Sequence, residues 1–208
     1  MAVTALRPGH EASGTVEFHV DRRLTDAYCR RMAVTANSFW MTTLLQALHR
    51  ITAMSNLVVC TFSNQRSAAE VRRTSGMLLR LLPVVSRLRD QAPEVAMQAL
   101  QSQLTATMAH ESYPFCMLQD ALHIPFGFLY IFQEGLSLLD YPEEWSELRL
   151  TRPHDDTRIC CVQVFPYVSG TKVIIEYNGT TYSRSGALCL ADRWQSILQH
   201  IVSQSTNR

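Results

Sequence analysis

The sequence of 208 residues predicts an α/β domain in which helices cover one mixed β-sheet. Three observations predict this class. Short apolar or alternating segments of strand length recur along the chain, and longer segments with a helical spacing of apolar residues separate them. The chain then closes with two strands, a turn and an amphipathic helix. A chain of this length can bury a core of its own, so we expect one domain.

Strands and helices alternate in the first part of the chain. Residues 1–14 are expected to form a flexible lead. Residues 15–20 (TVEFHV) alternate in polarity, which is typical of a half-buried strand. Residues 24–36 and the strongly apolar residues 39–54 predict two helices. The continuous apolar segment 57–62 (LVVCTF) predicts a buried strand directly after them.

The remaining elements continue this alternation. A long amphipathic helix is expected at residues 92–110, and the pair Ser169 and Gly170 is typical of the turn of a closing hairpin. The other expected elements are an apolar segment at 77–85, strands at 126–132, 148–151, 159–168 and 172–178, and a final helix at 187–204. No internal repeat or low-complexity tract interrupts this order.

Composition and charge exclude several classes of function. The formal net charge of +1 gives no electrostatic reason to expect nucleic acid or membrane as a partner. The longest apolar segments are too short to cross a bilayer. The six cysteines contain no CxxC pair and the N-terminus has no apolar signal segment, so we expect reduced thiols in a cytoplasmic protein without a metal.

The segment HESYPFC, residues 110–116, allows two interpretations. In the first, His110 is a general base for the thiol of Cys116. In the second, the segment is a stiff corner: His110 ends a helix and Phe115 packs into the core. Pro114 would stiffen this corner, because proline restricts its own backbone and that of Tyr113. No third member of a catalytic triad stands at a recognisable spacing, and we therefore favour the corner.

Two charged loops are weaker candidates for binding. His154, with the acids at 155–156, could hold a metal, and Arg66 with the arginines at 72–73 could meet a phosphate or an acidic partner. We favour a solvated loop as the explanation of both. The sequence contains no glycine-rich phosphate loop, no GxSxG elbow and no HExxH motif. The residues alone therefore indicate no complete active site.

Three segments occur in an order that is found in a known family. They are LLQALHRITAMSNLVVCTFSNQR, TSGMLLRLLPVV and HESYPF, followed by a closing strand, turn and helix. The matching positions are Arg66, Gly76, Leu82, Pro83, His110, Tyr113, Pro114 and Phe115. On these motifs, residues 16–202 resemble the C-terminal lobe of a nonribosomal peptide synthetase condensation domain, within the chloramphenicol-acetyltransferase-like acyltransferase superfamily.

The resemblance implies both a fold and a place for the site. Residues 15–208 would form a single lobe of the chloramphenicol-acetyltransferase-like two-layer sandwich, a mixed sheet covered by helices. In the family, the active site lies in a tunnel between two lobes, and the catalytic histidine belongs to an HHxxxDG motif on the N-terminal lobe. This sequence lacks that motif, so no catalytic residue is expected in it. The residues expected to line the tunnel or brace the lobe are Arg66, Gly76, Arg80, Pro83, His110, Tyr113, Pro114 and Phe115.

Two positions depart from the family pattern. Arg80 stands where the family usually has asparagine, and Val85 stands where the family usually ends this strand with arginine. A guanidinium in place of an amide adds charge and volume. We expect this exchange to alter the lining of the tunnel.

The resemblance implies that the chain is half of a split condensation domain. Such a domain forms amide bonds between carrier-bound acyl and aminoacyl groups. This reaction belongs to nonribosomal peptide biosynthesis, which is a branch of secondary metabolism. The partners would be an N-terminal lobe on another chain, or a second copy of this one, and a carrier protein. The carrier's phosphopantetheine arm would hold the substrate, and no cofactor would bind directly. Two alternatives are a non-catalytic module that docks carrier domains or tailoring enzymes, and a decaying fragment without a role.

Overall fold

The computed structural model of the chain describes residues 12–63, 74–75, 78–87, 91–123, 127–133, 159–168 and 170–206. The strands are β1 (Gly14–Val20), β2 (Asn56–Ser63), β3 (Arg80–Arg87), β4 (Phe128–Phe132), β5 (Cys160–Pro166) and β6 (Thr171–Tyr177). The helices are α1 (Arg22–Met32), α2 (Ala36–Thr52), α3 (Pro93–Met108), α4 (Phe115–Leu122) and α5 (Arg184–Thr206). These elements confirm the predicted α/β class.

The described strands form one mixed sheet in the order β1-β6-β5-β4-β2-β3. The strands β2, β4 and β5 run parallel to one another. The other pairs, β1 with β6, β6 with β5 and β2 with β3, are antiparallel. Parallel neighbours need a crossover connection, and the chain between β2 and β4 supplies one that includes β3, α3 and α4.

Helices α2 and α5 cover one face of this sheet. Phe39, Met41 and Leu44 of α2 are completely buried, so this strongly apolar helix is buried on more than one side. Strand β6 alternates buried and half-buried residues, so Val173 and Ile175 enter the same core. Among the helices that the structure describes, none is long and apolar enough to cross a lipid bilayer.

One hydrogen bond joins the two covering helices at the centre of the core. The indole N–H of Trp194 in α5 donates to Oγ1 of Thr43 in α2 at 2.8 Å. The hydroxyl of Thr43 donates in turn to the carbonyl of Trp40 at 3.0 Å. The ring of Trp194 meets the rings of Trp40 and Phe18 edge-on, at centroid distances of 5.9 and 5.6 Å. Because a buried indole N–H needs a partner, this bond restricts how α5 packs on α2.

The first helix is shorter than its spacing predicted. A helix over residues 24–36 was expected, but α1 ends at Met32. Ala33 takes a left-handed φ of 55°, and the N–H of Val34 donates to the carbonyl of Cys29 at 3.1 Å. This pattern of backbone bonds terminates helices, and it separates α1 from α2.

Other differences concern the bounds of elements. Strand β3 begins at Arg80, within the apolar segment predicted from residue 77, and helix α4 was not predicted. Gly14 was expected to end the flexible lead but is the first residue of β1. Residues 1–11 of that lead and the predicted strand at 148–151 lie outside the described residues.

The opposite face of the sheet carries a second, smaller apolar cluster. Cys60, Leu129 and Cys161, from the neighbouring strands β2, β4 and β5, form this second-face cluster and are 1, 8 and 4% exposed. Parallel strands in the middle of a sheet need cover on both faces. Phe115, the first residue of α4, packs against the cluster and provides part of that cover.

Burial determines which cysteines can react. All six cysteines are free thiols. Burial raises the pKa of Cys29 and of Cys60 to about 12, and it also raises the pKa of Cys160. Because the thiolate is the reactive form, these thiols should be inert at neutral pH, whereas Cys116 and Cys189 are exposed.

A thiol titration tests this division. In the native protein we expect Ellman's reagent to react rapidly at Cys116 and Cys189 and slowly at the four buried cysteines. The raised pKa of Cys60 means that its thiolate forms only as the pH approaches about 12. Unfolding in guanidinium should release all six thiols. Rapid reaction of more than two thiols in the native protein would contradict the burial of the two clusters.

Candidate functional site

The chain turns sharply between α3 and α4. The N–H groups of His110, Glu111 and Tyr113 each donate to the carbonyl three residues earlier, at 3.0 to 3.2 Å. Bonds of this reach tighten the end of a helix, so the chain leaves the axis of α3 within a few residues. We call residues 109–114 the corner. The backbone therefore turns where the sequence segment HESYPF predicted a corner.

Pro114 stiffens the corner and starts α4. Its φ of −65° and ψ of 126° are extended, and its carbonyl accepts the N–H of Met117 at 3.2 Å, which opens the helix. Proline also restricts the residue before it, so few backbone conformations remain open to Tyr113. The helix ends at His123, which takes a left-handed φ of 49°.

Two side chains fasten the corner and α4 to the second face of the sheet. The hydroxyl of Ser63, the last residue of β2, donates to Oε2 of Glu111. Ser63 is only 6% exposed, so this bond is sheltered from water on its strand side. Phe115 packs against the second-face cluster. The hydrogen bond of Glu111, before Pro114, and the apolar contact of Phe115, after it, therefore hold the corner and the start of α4 against the sheet.

Strand β3 brings two further predicted residues to the same region. Because β3 pairs antiparallel with β2, Arg80 lies opposite Ser63 and Pro83 lies opposite Cys60. Pro83 is half-buried in an edge strand, where a missing N–H is tolerated. Arg80 is exposed and in register with the residue that bonds Glu111.

The structure brings only some of the predicted site residues together. Arg80 and Pro83 pair with Ser63 and Cys60 of β2, and Phe115 packs against the cluster that contains Cys60. His110 and Tyr113 belong to the same corner, but their side chains are exposed. The predicted residues outside the described ranges are Arg66, Arg72, Arg73, Gly76, His154, Asp155 and Asp156. Ser63 and Glu111 were not predicted, since a contact between residues so far apart leaves no local pattern.

His110 and Cys116 do not form a pair in this arrangement. Both side chains are exposed, and no hydrogen bond between them occurs in the described part of the chain. Within the same ranges, no group of three or more His, Cys, Asp and Glu residues could hold a metal ion. The described residues of the corner can therefore position a wall of a site, and they do not form a catalytic centre.

Helix α4 exposes apolar side chains. None of its eight residues is buried. Tyr113 of the corner and Met117 and Leu122 of the helix are 47, 54 and 64% exposed, and we call these three residues the α4 surface. Single exposed apolar residues are ordinary, and the position of these three on one corner and one short helix makes this region a candidate contact surface. The apolar residues of FCMLQDAL are the sequence signal for this surface.

Comparison with known proteins agrees with this fold. The family model described as the condensation domain matches residues 8–208. Curated proteins give no match. Among solved structures, AB3403, a four-domain nonribosomal peptide synthetase bound to AMP and glycine, matches with a TM-score of 0.78 at 16% identity. The first condensation domain of the calcium-dependent antibiotic synthetase with a substrate analogue gives 0.72 at 16% identity, and PapA2 acyl transferase gives 0.73 at 13%.

All three of these structures are longer than this chain. Each match covers 95% of this chain, but only 17% of AB3403 and 46% of each of the other two. The chain therefore spans less than half the length of the structures that it matches. At such low identity these likenesses show the fold, whereas the family model matches nearly the whole sequence. The chain belongs to the condensation domain family.

Proposed function

We propose that this chain is the C-terminal half of a split condensation domain and that a partner chain supplies the catalytic histidine. The joined halves form an amide bond between carrier-bound acyl and aminoacyl groups. The observation that carries the proposal is the α4 surface, where Tyr113, Met117 and Leu122 leave apolar side chains in water next to the corner. The described residues would provide one wall of a site that is built between two lobes.

The histidines of the sequence support a partner with its own catalytic group. Nowhere among the 208 residues do two histidines stand side by side, so HHxxxDG is absent. A general base has to lie within hydrogen-bonding reach of the group that it deprotonates. His110, the histidine of the matched motif, is exposed on the corner. The base that amide formation needs would therefore come from the other lobe.

The α4 surface supports the presence of a partner. Tyr113, Met117 and Leu122 leave apolar area in water, and burying such area stabilises a complex by roughly 25 cal/mol per Å². Association also costs translational and rotational freedom. A surface of three side chains therefore serves as an anchor within a larger lobe–lobe interface.

In this proposal the corner positions the wall and does not react. Ser63, Glu111 and Phe115 hold the corner and α4 against the sheet. Arg80, in register with Ser63, adds a cation to this part of the wall. The other proposed wall residues are Arg66, Gly76, Pro83, His110, Tyr113 and Pro114. A phosphopantetheine arm of a carrier protein brings the substrate to this wall, and no cofactor has to bind the chain directly.

A non-catalytic docking module is the second candidate function. Arg80 favours it, because a guanidinium in place of an amide adds volume and charge to the wall of a substrate tunnel. Such a module would dock carrier domains or tailoring enzymes. The two functions differ in the partner that they require, since only the split enzyme needs a lobe with HHxxxDG.

Identification of bound proteins separates the two functions. From native cells, the tagged chain is expected to recover a protein that bears HHxxxDG at equal stoichiometry. Substitution of the second histidine of that motif in the partner should then abolish amide formation by the reconstituted pair. Recovery of carrier or tailoring proteins alone would favour the docking module, and recovery of a second copy alone would favour a homodimer.

Charging the α4 surface should prevent the partner from binding. Met117→Glu combined with Leu122→Glu is expected to weaken recovery of the partner about tenfold or more, because complex formation would then bury two unpaired carboxylates. The free energy of unfolding should change by less than about 0.5 kcal/mol, since surface substitutions rarely cost more. The matched control is Leu188→Glu on α5, where the leucine is 40% exposed. An equal loss of binding in the control would contradict a role for α4.

The bond between Ser63 and Glu111 tests the bracing role of the corner. Ser63→Ala is expected to lower the free energy of unfolding by about 1 kcal/mol, because a half-buried carboxylate loses a donor. Amide exchange at Tyr113 should accelerate, as measured by NMR. Ser112→Ala removes an exposed hydroxyl one residue further along the corner and should change neither quantity. Unchanged exchange in Ser63→Ala would show that the bond does not brace the corner.

A further inference from the structure

Strands β2 and β3 carry three cross-strand pairs of apolar residues on the second face of the sheet. Successive side chains of a strand point to opposite faces, and residues directly opposite each other share a face. Cys60 belongs to the second-face cluster, so it identifies the face on which these pairs lie. The three pairs, which we call the strip, are Val58 with Val85, Cys60 with Pro83, and Phe62 with Leu81.

Water still reaches most of the strip. Cys60 is 1% exposed, and Phe115 packs against the cluster that contains it. Val85 is 43% exposed, and the other four residues of the strip are half-buried. By contrast, the residues that alternate with them on the same strands are buried, namely 57, 59, 61, 63, 82, 84 and 86. The strip is therefore the incompletely covered side of these two strands.

The sheet limits the size of the strip. β3 is an edge strand, and Leu129 of β4 on the other side is 8% exposed, so the strip is two strands wide, roughly 10 Å. It extends roughly 14 Å along the strands, from Phe62 to Val58, and the exposed polar pair Asn56 and Arg87 follows. A stable protein–protein interface buries about 800 Å² on each partner, which is several times the area of the strip. The strip by itself therefore suits an extended chain and is too small to hold a second protein.

The six side chains of the strip offer little to a polar group. Hydrocarbon side chains neither donate nor accept hydrogen bonds, and the one thiol, at Cys60, is buried. Pro83 has no N–H to offer, and the carbonyl of Val85 already accepts a hydrogen bond from the side-chain amide of Gln103 at 2.8 Å. A polar group placed here would lose its hydrogen bonds to water and gain few in return. The chemistry of the strip therefore selects an apolar occupant.

Pro83 links the strip to the proposed condensation function, because it is one of the proposed wall residues. We infer that the strip holds the hydrocarbon chain of the acyl group that the carrier protein delivers. The substrate class is then a straight-chain aliphatic acyl thioester without polar groups along its chain. This inference rests on the proposed function for the carrier, whereas binding of such a chain to the strip can be measured on this protein alone.

Binding of two synthetic thioesters to the full chain tests the inference without a partner. Octanoyl-pantetheine and 3,6-dioxaoctanoyl-pantetheine have chains of equal length, but ether oxygens replace methylene groups in the second. NMR of the methyl-labelled chain should show saturable shift changes at Val58, Leu81 and Val85 with the octanoyl thioester. Its Kd should be about tenfold lower than that of the ether analogue, because each methylene group leaves water on binding. Equal Kd values, or shift changes away from the strip, would overturn the inference.

A variant and a matched control locate the binding. Val85→Asn places an amide on the exposed part of the strip and should raise the Kd of octanoyl-pantetheine about tenfold. Val95→Asn makes the same change on α3, at a valine that is 52% exposed, and should bind like the native chain. Circular dichroism verifies that both variants fold, and the shift map of the native chain remains a test if Val85→Asn unfolds. An unchanged Kd in folded Val85→Asn, or an equal rise in Val95→Asn, would contradict binding at the strip.

Turnover by the pair with a lobe that bears HHxxxDG separates this inference from the proposed function. With carriers loaded with either acyl group, kcat/KM for amide formation should be about tenfold higher for octanoyl. Equal values for the two acyl groups would overturn the inference and leave the proposed function in place. Preferential binding of octanoyl-pantetheine to the chain, with no amide formed from either group, would instead overturn the proposed function and retain the strip as an apolar binding site.

Discussion

The need to cover both faces of the parallel strands β2, β4 and β5 shapes the rest of the structure. Such strands lie in the middle of the sheet, so water must be excluded from each face. On one face α2 and α5 provide the cover, and the bond from Trp194 to Thr43 joins them. On the other face the cluster around Cys60 and Cys161 meets Phe115. Phe115 is thus one of the side chains that cover this face from outside the strands.

The same constraint connects the fold to the proposed function. The ring of Phe115 packs against the second-face cluster. Pro114 and the hydrogen bond from Ser63 to Glu111 restrict the backbone next to this ring. Beyond Phe115, helix α4 keeps Met117 and Leu122 exposed to water. A wall that is rigid on one side and apolar on the other is suited to a site completed by a second lobe.

Elements with strong local signals could be predicted from the sequence, and contacts between distant segments could not. The strands β1 and β2 and the helix α2 follow from alternation or from continuous apolar runs, and the order of three motifs indicated the family. The end of α1 could not be foreseen, because alanine seldom takes the left-handed conformation that Ala33 adopts. Helix α4 was hidden because Pro114 is as compatible with a turn as with a helix start. The bond from Ser63 to Glu111 spans 48 positions, so only the packed sheet brings the two together.

Hydrogen–deuterium exchange of the chain, alone and bound to a partner that bears HHxxxDG, would test most directly whether α4 is the surface that a second lobe covers. We expect the amides of Phe115–Leu122 to exchange more slowly in the complex, while those around Leu188 on α5 exchange at the same rate in both states. A complex that forms without any slowing in α4, or with slowing on α5 instead, would contradict this interpretation of the chain.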